Sequence, residues 1–391
     1  MSEKVDVFMA CKLMPFYRLG IFQHLSSISK EYRFYFFGDT KEQGSIKQIP
    51  FTYASAEKGE YIRWVKTKNY FYKPERLLWQ TGIIKEIFRS KFKVFVFEGA
   101  IAHFPIWLYA FICKLMGKKV LYWTHGNRGK DKGIKKFLRV LLFKYLGDGL
   151  LLYGHYQEDN MIKDGYDPNR LFVIYNSLQP EKQFKVLDSL NIAKVNLEKE
   201  RIFKYPENFT LIFIGRLVKH KGVASIVLAV KKLIQTGIPV NCIFIGKGEE
   251  LESLKASVET LDLKDNIHFA GELYEEEEIA AYFAMSDLMI SPGNVGLNCI
   301  HSLAYGVPVI THNNMDYQNP EVESIREGET GTLYEYDNFN DLINKLKFWI
   351  NNHKNKAENK KACQLIIKNV YNPINQSNCI ISSINKILNE R

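Results

Sequence analysis

Short apolar runs that stop at glycine recur along this chain, and a segment of helical spacing follows most of them. In the C-terminal half the run 210–214 ends at Gly215, the run 240–245 at Gly246-Lys247-Gly248, and the run 267–269 at Ala270-Gly271. The run 288–290 enters Ser291-Pro292-Gly293-Asn294-Val295-Gly296, and 307–310 follows it. In the N-terminal half, strands are predicted at 5–9, 33–37, 92–97, 120–123, 149–152 and 171–174, with a helix over 16–29. Strands that alternate with helices call for parallel sheets. Two such series predict an α/β chain of two doubly wound, Rossmann-like domains facing a central cleft. Ligands then sit beyond the carboxyl ends of the strands, where these glycines lie.

The stretch between the two series, 179–208, is polar, contains Pro180 and Pro206, and reads as a linker with one helix. The predicted organisation is therefore an N-terminal domain over 1–178, a linker over 179–208 and a C-terminal domain over 209–370. A final helix over 371–391 is expected to pack back on the N-terminal domain, its Ile380, Ile384 and Ile387 at helical spacing.

Hydrophobic residues make up 46% of the chain, enough for two cores and too many for a disordered class. The longest apolar run, 104–113, is too short for a membrane span and contains Pro105. Glu3, Lys4 and Asp6 precede the first apolar stretch, which is not the pattern of a signal peptide. The six cysteines lack metal-ligand spacing, so a reduced, cytoplasmic protein is expected.

The net charge of +10 is uneven: the first 200 residues carry the whole excess. It is densest at Arg128, Lys130, Lys132, Lys135, Lys136, Arg139 and Lys144, interleaved with apolar residues. That pattern fits a basic amphipathic helix at an anionic membrane surface, and equally a solvated face over a core stripe. The expected location is the cytoplasm, peripheral on the inner face of the membrane. No nucleic-acid motif accompanies the charge, so nucleic acid is not an expected partner.

Arg216 and Lys221 lie in Gly215-Arg216-Leu217-Val218-Lys219-His220-Lys221-Gly222, between a strand and a helix. Two fixed cations beside a helix N-terminus suit a diphosphate and stabilise a departing nucleotide diphosphate. The glycine spacing is not that of a Walker loop. Gly293, Gly296, Leu297 and Asn298 form a second strand–turn–helix junction with the same potential for an anion. No Asp-x-Asp pair and no ligand-spaced Cys/His/carboxylate group occurs, so no metal and no cofactor is expected. His125 ends the predicted strand 120–123 and can face the cleft. Glu323, in the loop before Gly328, is a candidate ligand contact.

With these residues in place, the chain resembles the retaining glycosyltransferases of family 4, which have the GT-B fold. The likeness is carried by Gly215-Arg216-Leu217 with Lys221-Gly222, by Gly246-Lys247-Gly248 and by His268-Phe269-Ala270-Gly271. It continues through Ser286 to Pro292, Ala304-Tyr305-Gly306-Val307-Pro308 and Gly328-Glu329-Thr330-Gly331. The N-terminal half matches more loosely, at His125 and at Val173-Ile174-Tyr175-Asn176-Ser177.

The resemblance implies a nucleotide-diphosphate sugar held mainly by the C-terminal domain and an acceptor held by the N-terminal one. By it Arg216 and Lys221 meet the diphosphate, the backbone from Gly271 to Tyr274 meets the base, and His125 reaches the sugar. It implies metal-independent, front-face transfer of a hexosyl or deoxyhexosyl group to a glycan or lipid-linked acceptor in surface polysaccharide or glycoconjugate synthesis. The family's two glutamates, seven residues apart, align with Gly293 and His301. The Gly293 amide can still contact the sugar, and His301, or Asn298 nearby, can meet the ribose. Because both glutamates are replaced, two alternatives stay open: a sugar-nucleotide epimerase or hydrolase on the same fold, and a non-catalytic nucleotide-sugar-binding protein.

Overall fold

A computed structural model describes residues 4–28, 31–39, 47–54, 61–72, 77–89, 91–100, 103–127, 133–352 and 355–389. Arg128, Lys130 and Lys132 of the basic stretch lie outside the described residues, as does the side chain of Lys135. The chain divides into two compact units: Met1–Gln179 together with Asn372–Arg391, and Pro180–Tyr371.

The first unit is built on β1 (Val5–Leu13), β2 (Tyr32–Asp39), β3 (Trp64–Lys66), β4 (Lys68–Tyr72), β5 (Leu77–Thr81), β6 (Phe92–Glu98), β7 (Lys119–Thr124), β8 (Gly149–Leu152) and β9 (Leu171–Val173). Seven of these form one parallel sheet in the order β3-β2-β1-β6-β7-β8-β9, while β4 and β5 pair as an antiparallel ribbon. Its helices are α1 (Leu19–Ile28), α2 (Ile84–Ile87), α3 (Phe104–Leu115), α4 (Gly133–Leu146) and α5 (His155–Lys163).

The sheet is apolar on both faces, as a parallel sheet covered by crossover helices must be. Val7, Met9, Val96 and Leu121 join the core beneath α1. The alternate residues Phe8, Phe95, Phe97 and Tyr122 join the core beneath α3. Phe8 stacks on Phe37 with ring centroids 3.9 Å apart.

The second unit contains α6 (Pro180–Ser189), α7 (Ile192–Ile202), β10 (Phe209–Ile214), α8 (Val223–Gln235), β11 (Val240–Ile245), α9 (Leu251–Thr260), β12 (Ile267–Gly271), α10 (Glu276–Met285), β13 (Leu288–Ser291), α11 (Leu297–Ala304), β14 (Val309–His312), β15 (Gly331–Tyr334), α12 (Phe339–Asn352) and α13 (Lys356–Asn369). Its six strands are parallel in the order β12-β11-β10-β13-β14-β15. The chain runs outward from β10 to β12, then returns beside β10 with β13. The loops after β10 and β13 therefore leave neighbouring strand ends at the point where the winding reverses, the usual ligand position in such sheets.

The expected linker is corrected by the structure. Residues 180–202 form two helices rather than one, and both pack on α10 within the second unit. Beyond Pro180, only Val186, Leu187 and Val195 among their apolar residues are buried, a stripe too narrow to stand out in the sequence. The last helix, α14 (Pro373–Asn389), packs on α1, β8 and β9 of the first unit. Ile380, Ile384 and Ile387 enter the same core as Val7 and Phe22. The Ser177 hydroxyl donates to Gln376 Oε1 (2.6 Å), and Gln376 Nε2 donates to the Tyr175 carbonyl (2.9 Å). Among the described residues no helix is long and apolar enough to cross a membrane.

The final helix is thus a structural part of the first unit. Replacing the fully buried Ile384 with alanine should cost roughly 2–5 kcal/mol. A denaturation midpoint equal to the parent's would contradict this packing.

Candidate active site

The ends of β10, β11 and β12 are linked through their backbones. The Gly215 N–H donates to the Ile245 carbonyl (2.9 Å), Leu217 N–H to Lys247 (2.9 Å) and Gly246 N–H to Gly271 (2.7 Å). A Cβ on Gly246 would lie 1.9 Å from the Gly215 carbonyl oxygen, so no other residue fits there. Gly248 lies under Leu217, and Gly271 ends β12 in a left-handed conformation. Tyr274, expected near the base, is exposed in the loop that follows.

The loop after β10 makes one 3₁₀ turn over Lys219–Lys221 and enters α8 at Gly222. Arg216 is exposed at its start. Lys221 is half-buried, and its ammonium donates to the Asn294 carbonyl (2.5 Å) and to Asn294 Oδ1 (2.6 Å). Burial, and then the charge of Arg216, push the Lys221 ammonium down to about 8. Two cations are therefore held at the switch point of the sheet, one of them tied to the turn after β13.

That turn is fixed from both sides. The Gly293 N–H donates to the Lys221 carbonyl (3.0 Å), and the Thr311 hydroxyl donates to the Gly293 carbonyl (3.2 Å). The expected use of the Gly293 amide for a sugar is corrected here, because that amide is already bonded. A Cβ at 293 would stand 2.6 Å from the His220 oxygen and 2.7 Å from Lys221 Cα. A glutamate at this position is excluded by the approach of the β10 loop. Gly296 then opens α11 at φ +56 and ψ −148, and no side chain caps the helix. The half-buried Leu297 begins its first turn. An uncapped helix start two residues beyond the lysine-anchored Asn294 offers backbone donors to an anion.

Asn298 and His301 have partners within the unit. Asn298 Nδ2 donates to the Ile214 carbonyl (2.6 Å), which ties α11 to the end of β10 rather than leaving the amide group for a ribose. His301 packs edge-on against Phe283 and Tyr305, with its Nε2 3.4 Å from Glu276 Oε2. The Tyr305 hydroxyl also donates to Glu276. Burial opposes ionisation of Glu276, yet the hydrogen bonds from His301 and Tyr305 hold its carboxyl below the ordinary value. Glu276 was invisible as a site residue within the run Glu275-Glu276-Glu277-Glu278, which reads as a solvated helix start. Glu323 is half-buried in the 3₁₀ turn Pro320–Ser324, and its neighbour Glu321 is buried. Asn319, just before that turn, brings its side-chain amide beside Gly296.

In the first unit, His125 directly follows β7, half-buried, with its ring tilted against that of Tyr153, centroids 4.6 Å apart. Sequence reasoning missed the charged network beside it. Arg18 donates to the Tyr153 hydroxyl (2.8 Å) and to Glu98 Oε1 (3.1 Å), and lies over the Trp123 ring. Glu98 Oε2 accepts from the Lys12 N–H (2.7 Å). Burial pushes His103 down to about 4, so this histidine is neutral. The available signal was Glu98 itself, a carboxylate at the carboxyl end of an otherwise apolar strand.

Residues 195–366 match the family described as Glycosyl transferases group 1. An uncharacterised glycosyltransferase of Haemophilus influenzae is 28% identical over 178 residues, 44% of this chain and 48% of the relative. The capsular polysaccharide biosynthesis glycosyltransferase CapM of Staphylococcus aureus is 25% identical over 225 residues, 51% of this chain and 58% of the relative. The chain spans about half the length of these curated relatives. Among solved structures, a glycosyltransferase from Rickettsia africae superposes over 100% of both chains (TM-score 0.73, 15% identity). The Anabaena protein HepE in complex with UDP superposes over 98% of this chain and 100% of its own (TM-score 0.70, 14% identity). The fold is GT-B, with two Rossmann-like units.

The close approach at Gly293 yields a test. Gly293→Ala should lower stability by about 1–3 kcal/mol, and Gly293→Glu should cost at least as much. A Gly293→Glu protein that melts with the parent would show that the two loops do not meet as described.

Proposed function

We propose that the protein transfers a hexosyl or deoxyhexosyl group from a nucleotide-diphosphate donor to a hydroxyl of a glycan or lipid-linked acceptor, with retention, in surface polysaccharide or glycoconjugate synthesis. The observation that carries this reading is the placement of Arg216 and Lys221 at the switch point of the C-terminal sheet, with Lys221 anchored to Asn294 beside the uncapped start of α11. A diphosphate bridging the two loops would meet both cations and the helix N-terminus at once. UDP, with which HepE was solved, is the first nucleotide to test.

In the proposed reaction the bond between the anomeric carbon and the donor phosphate oxygen breaks as the acceptor hydroxyl oxygen attacks from the same face. The acceptor proton passes to the leaving phosphate. The negative charge that develops on the diphosphate is stabilised by Arg216 and Lys221, which take the place a divalent metal would otherwise hold. His125, on the N-terminal unit, is assigned to the transfer step.

Arg216→Ala and Lys221→Ala should each lower turnover roughly 100-fold or more; Arg216→Ala should leave the melting curve of the free protein near the parent's, whereas Lys221→Ala also removes the bonds to Asn294 and should lower the midpoint. Thermal shifts with a panel of nucleotide sugars identify the donor to use, since a ligand of the native state raises the midpoint by mass action. Full turnover in both variants would overturn the diphosphate assignment.

The lowered Lys221 value gives a pH test of the same assignment. Below the folded value of about 8 the ammonium is charged before and after binding. Above it the free protein loses this charge, and a bound diphosphate draws the proton back. UDP binding at about pH 9 should therefore take up a proton, and at about pH 6 should take up none through this lysine. Calorimetry in buffers of different ionisation enthalpy reads this directly. Equal proton uptake by the parent and Lys221→Met at the higher pH would exclude Lys221 as the cause.

A further inference from the structure

Pro320 opens the 3₁₀ turn Pro320–Ser324, and Asn319 stands in the capping position before it, with extended backbone (φ −91, ψ 159). Asparagine favours this position because its side-chain oxygen accepts N–H groups of the first turn. The chain uses that bond elsewhere. Asn191 caps α7, Asn355 caps α13, and Asp167 caps the 3₁₀ turn that Pro168 opens. Asn319 forgoes it, and its side chain makes no bond to its own turn. Its Nδ2 lies instead 3.0 Å from the place a Cβ would take on Gly296.

The loop that carries Asn319 is clamped by its buried neighbour Gln318. Gln318 Oε1 accepts from the Val295 N–H (2.9 Å), and Nε2 donates to the Thr311 hydroxyl (2.8 Å) and the His312 carbonyl (3.1 Å). The loop after β14 is thereby fixed to the turn after β13, which brings Asn319 to the uncapped start of α11. Three other amide side chains surround that start, and each has a partner. Asn294 holds Lys221, Asn298 holds the Ile214 carbonyl, and Gln318 makes the bonds above. The Asn319 amide has none among the described residues. It is half-buried, so it is both anchored and reachable.

The chemistry of an amide limits what it fits. A phosphate oxygen only accepts, so a phosphate would leave Oδ1 facing an anion. A hydroxyl both donates and accepts, and neighbouring hydroxyls satisfy both ends of the amide. The strand order β12-β11-β10-β13-β14-β15 puts Arg216 and Lys221 on one side of the turn after β13 and Asn319 on the other. On the cation side, three strands finish at Gly215, Gly246 and Gly271, which leaves a wide floor. Two strands remain on the side of Asn319. The nucleoside, the larger half of the donor, matches the wide floor, and the hexosyl group matches the narrow one.

We propose that the Asn319 amide hydrogen-bonds hydroxyl groups of the transferred sugar and so selects the donor. This rests on the nucleotide-sugar reading above and adds to it a residue that no cation or glycine pattern marks. A sugar whose hydroxyls match replaces the water on the amide, and one that lacks them leaves a polar group unpaired.

The test is calorimetric titration of the full chain with UDP, GDP, ADP and dTDP, and with UDP-glucose, UDP-galactose, GDP-mannose, ADP-glucose and dTDP-glucose. Asn319→Leu keeps the volume of the side chain and Asn319→Ala removes it. Both should bind the free nucleotide diphosphate within about two-fold of the parent and lose roughly ten-fold in affinity for the sugar derivative the parent binds best. The midpoints of the unliganded variants should stay near the parent's, because no bond within the protein is lost. Equal losses for nucleotide and nucleotide sugar would put the amide at the nucleotide and overturn the proposal. It is overturned as well by undiminished affinity for the sugar derivative, by a parent that binds the nucleotide with and without its sugar equally, or by variants that differ from the parent only in a lowered midpoint. A parent that binds none of these compounds fails the nucleotide-sugar reading itself, and this proposal with it. Arg216→Ala keeps the two failures apart, since it should weaken nucleotides and nucleotide sugars alike.

Discussion

The contact between Lys221 and the turn at Gly293 organises the C-terminal unit. Two loops leave adjacent strands at the reversal of the sheet, and nothing in their separate sequences obliges them to meet. The Gly293 amide binds the Lys221 carbonyl, and the Lys221 ammonium binds both oxygens of Asn294. The lysine is thereby desolvated and aimed beside the opening of α11. The same approach leaves no room for a Cβ at 293. One tertiary contact thus places a cation, shapes a helix start and forbids the residue that the resemblance would put there.

The N-terminal unit uses its switch point differently. There β1 and β6 are neighbours, and the groups beyond their ends are Arg18 and Glu98. Arg18 is buried and spends its donors on Glu98 and Tyr153. Burying such a pair gains little stability relative to apolar packing, because desolvation offsets most of the attraction. The pair does give the His125 platform a fixed geometry: His125 packs against the ring of Tyr153, whose hydroxyl is held by Arg18. The C-terminal unit concentrates positive charge at its strand ends. At its own strand ends the N-terminal unit instead pairs a cation with a carboxylate.

Much of this was legible in the sequence because the parallel strands are buried on both faces, so each reads as an apolar run ending at glycine. The parallel arrangement and the position of Arg216 and Lys221 at a strand end follow from that pattern. The ribbon β4–β5 did not, since Lys68, Asn69 and Gln80 interrupt any alternation, although Asn69 and Gln80 are buried by hydrogen bonds. The helices over 180–202 were hidden because they pack on α10 with few apolar residues. At the site, what escaped was what depends on distant chain segments. The engagement of the Gly293 amide needs residue 221, that of Asn298 needs residue 214, and the partner of His301 lies 25 residues earlier in the chain.

Position 301 shows how far a site can differ from its sequence. Read along the chain, it is a histidine with no acidic residue near it in α11. Read in space, Glu276 of α10 stands beside that histidine and also accepts from Tyr305. The depressed value of the Glu276 carboxyl means that an anion persists at this corner. The Tyr305 hydroxyl and the His301 ring meet that carboxylate from two directions, so its charge is held by hydrogen bonds. Phe283 and Tyr305 pack edge-on against the imidazole and hold it beside the carboxylate. The corner keeps the hydrogen-bonding capacity of a carboxylate, supplied by α10 rather than by α11.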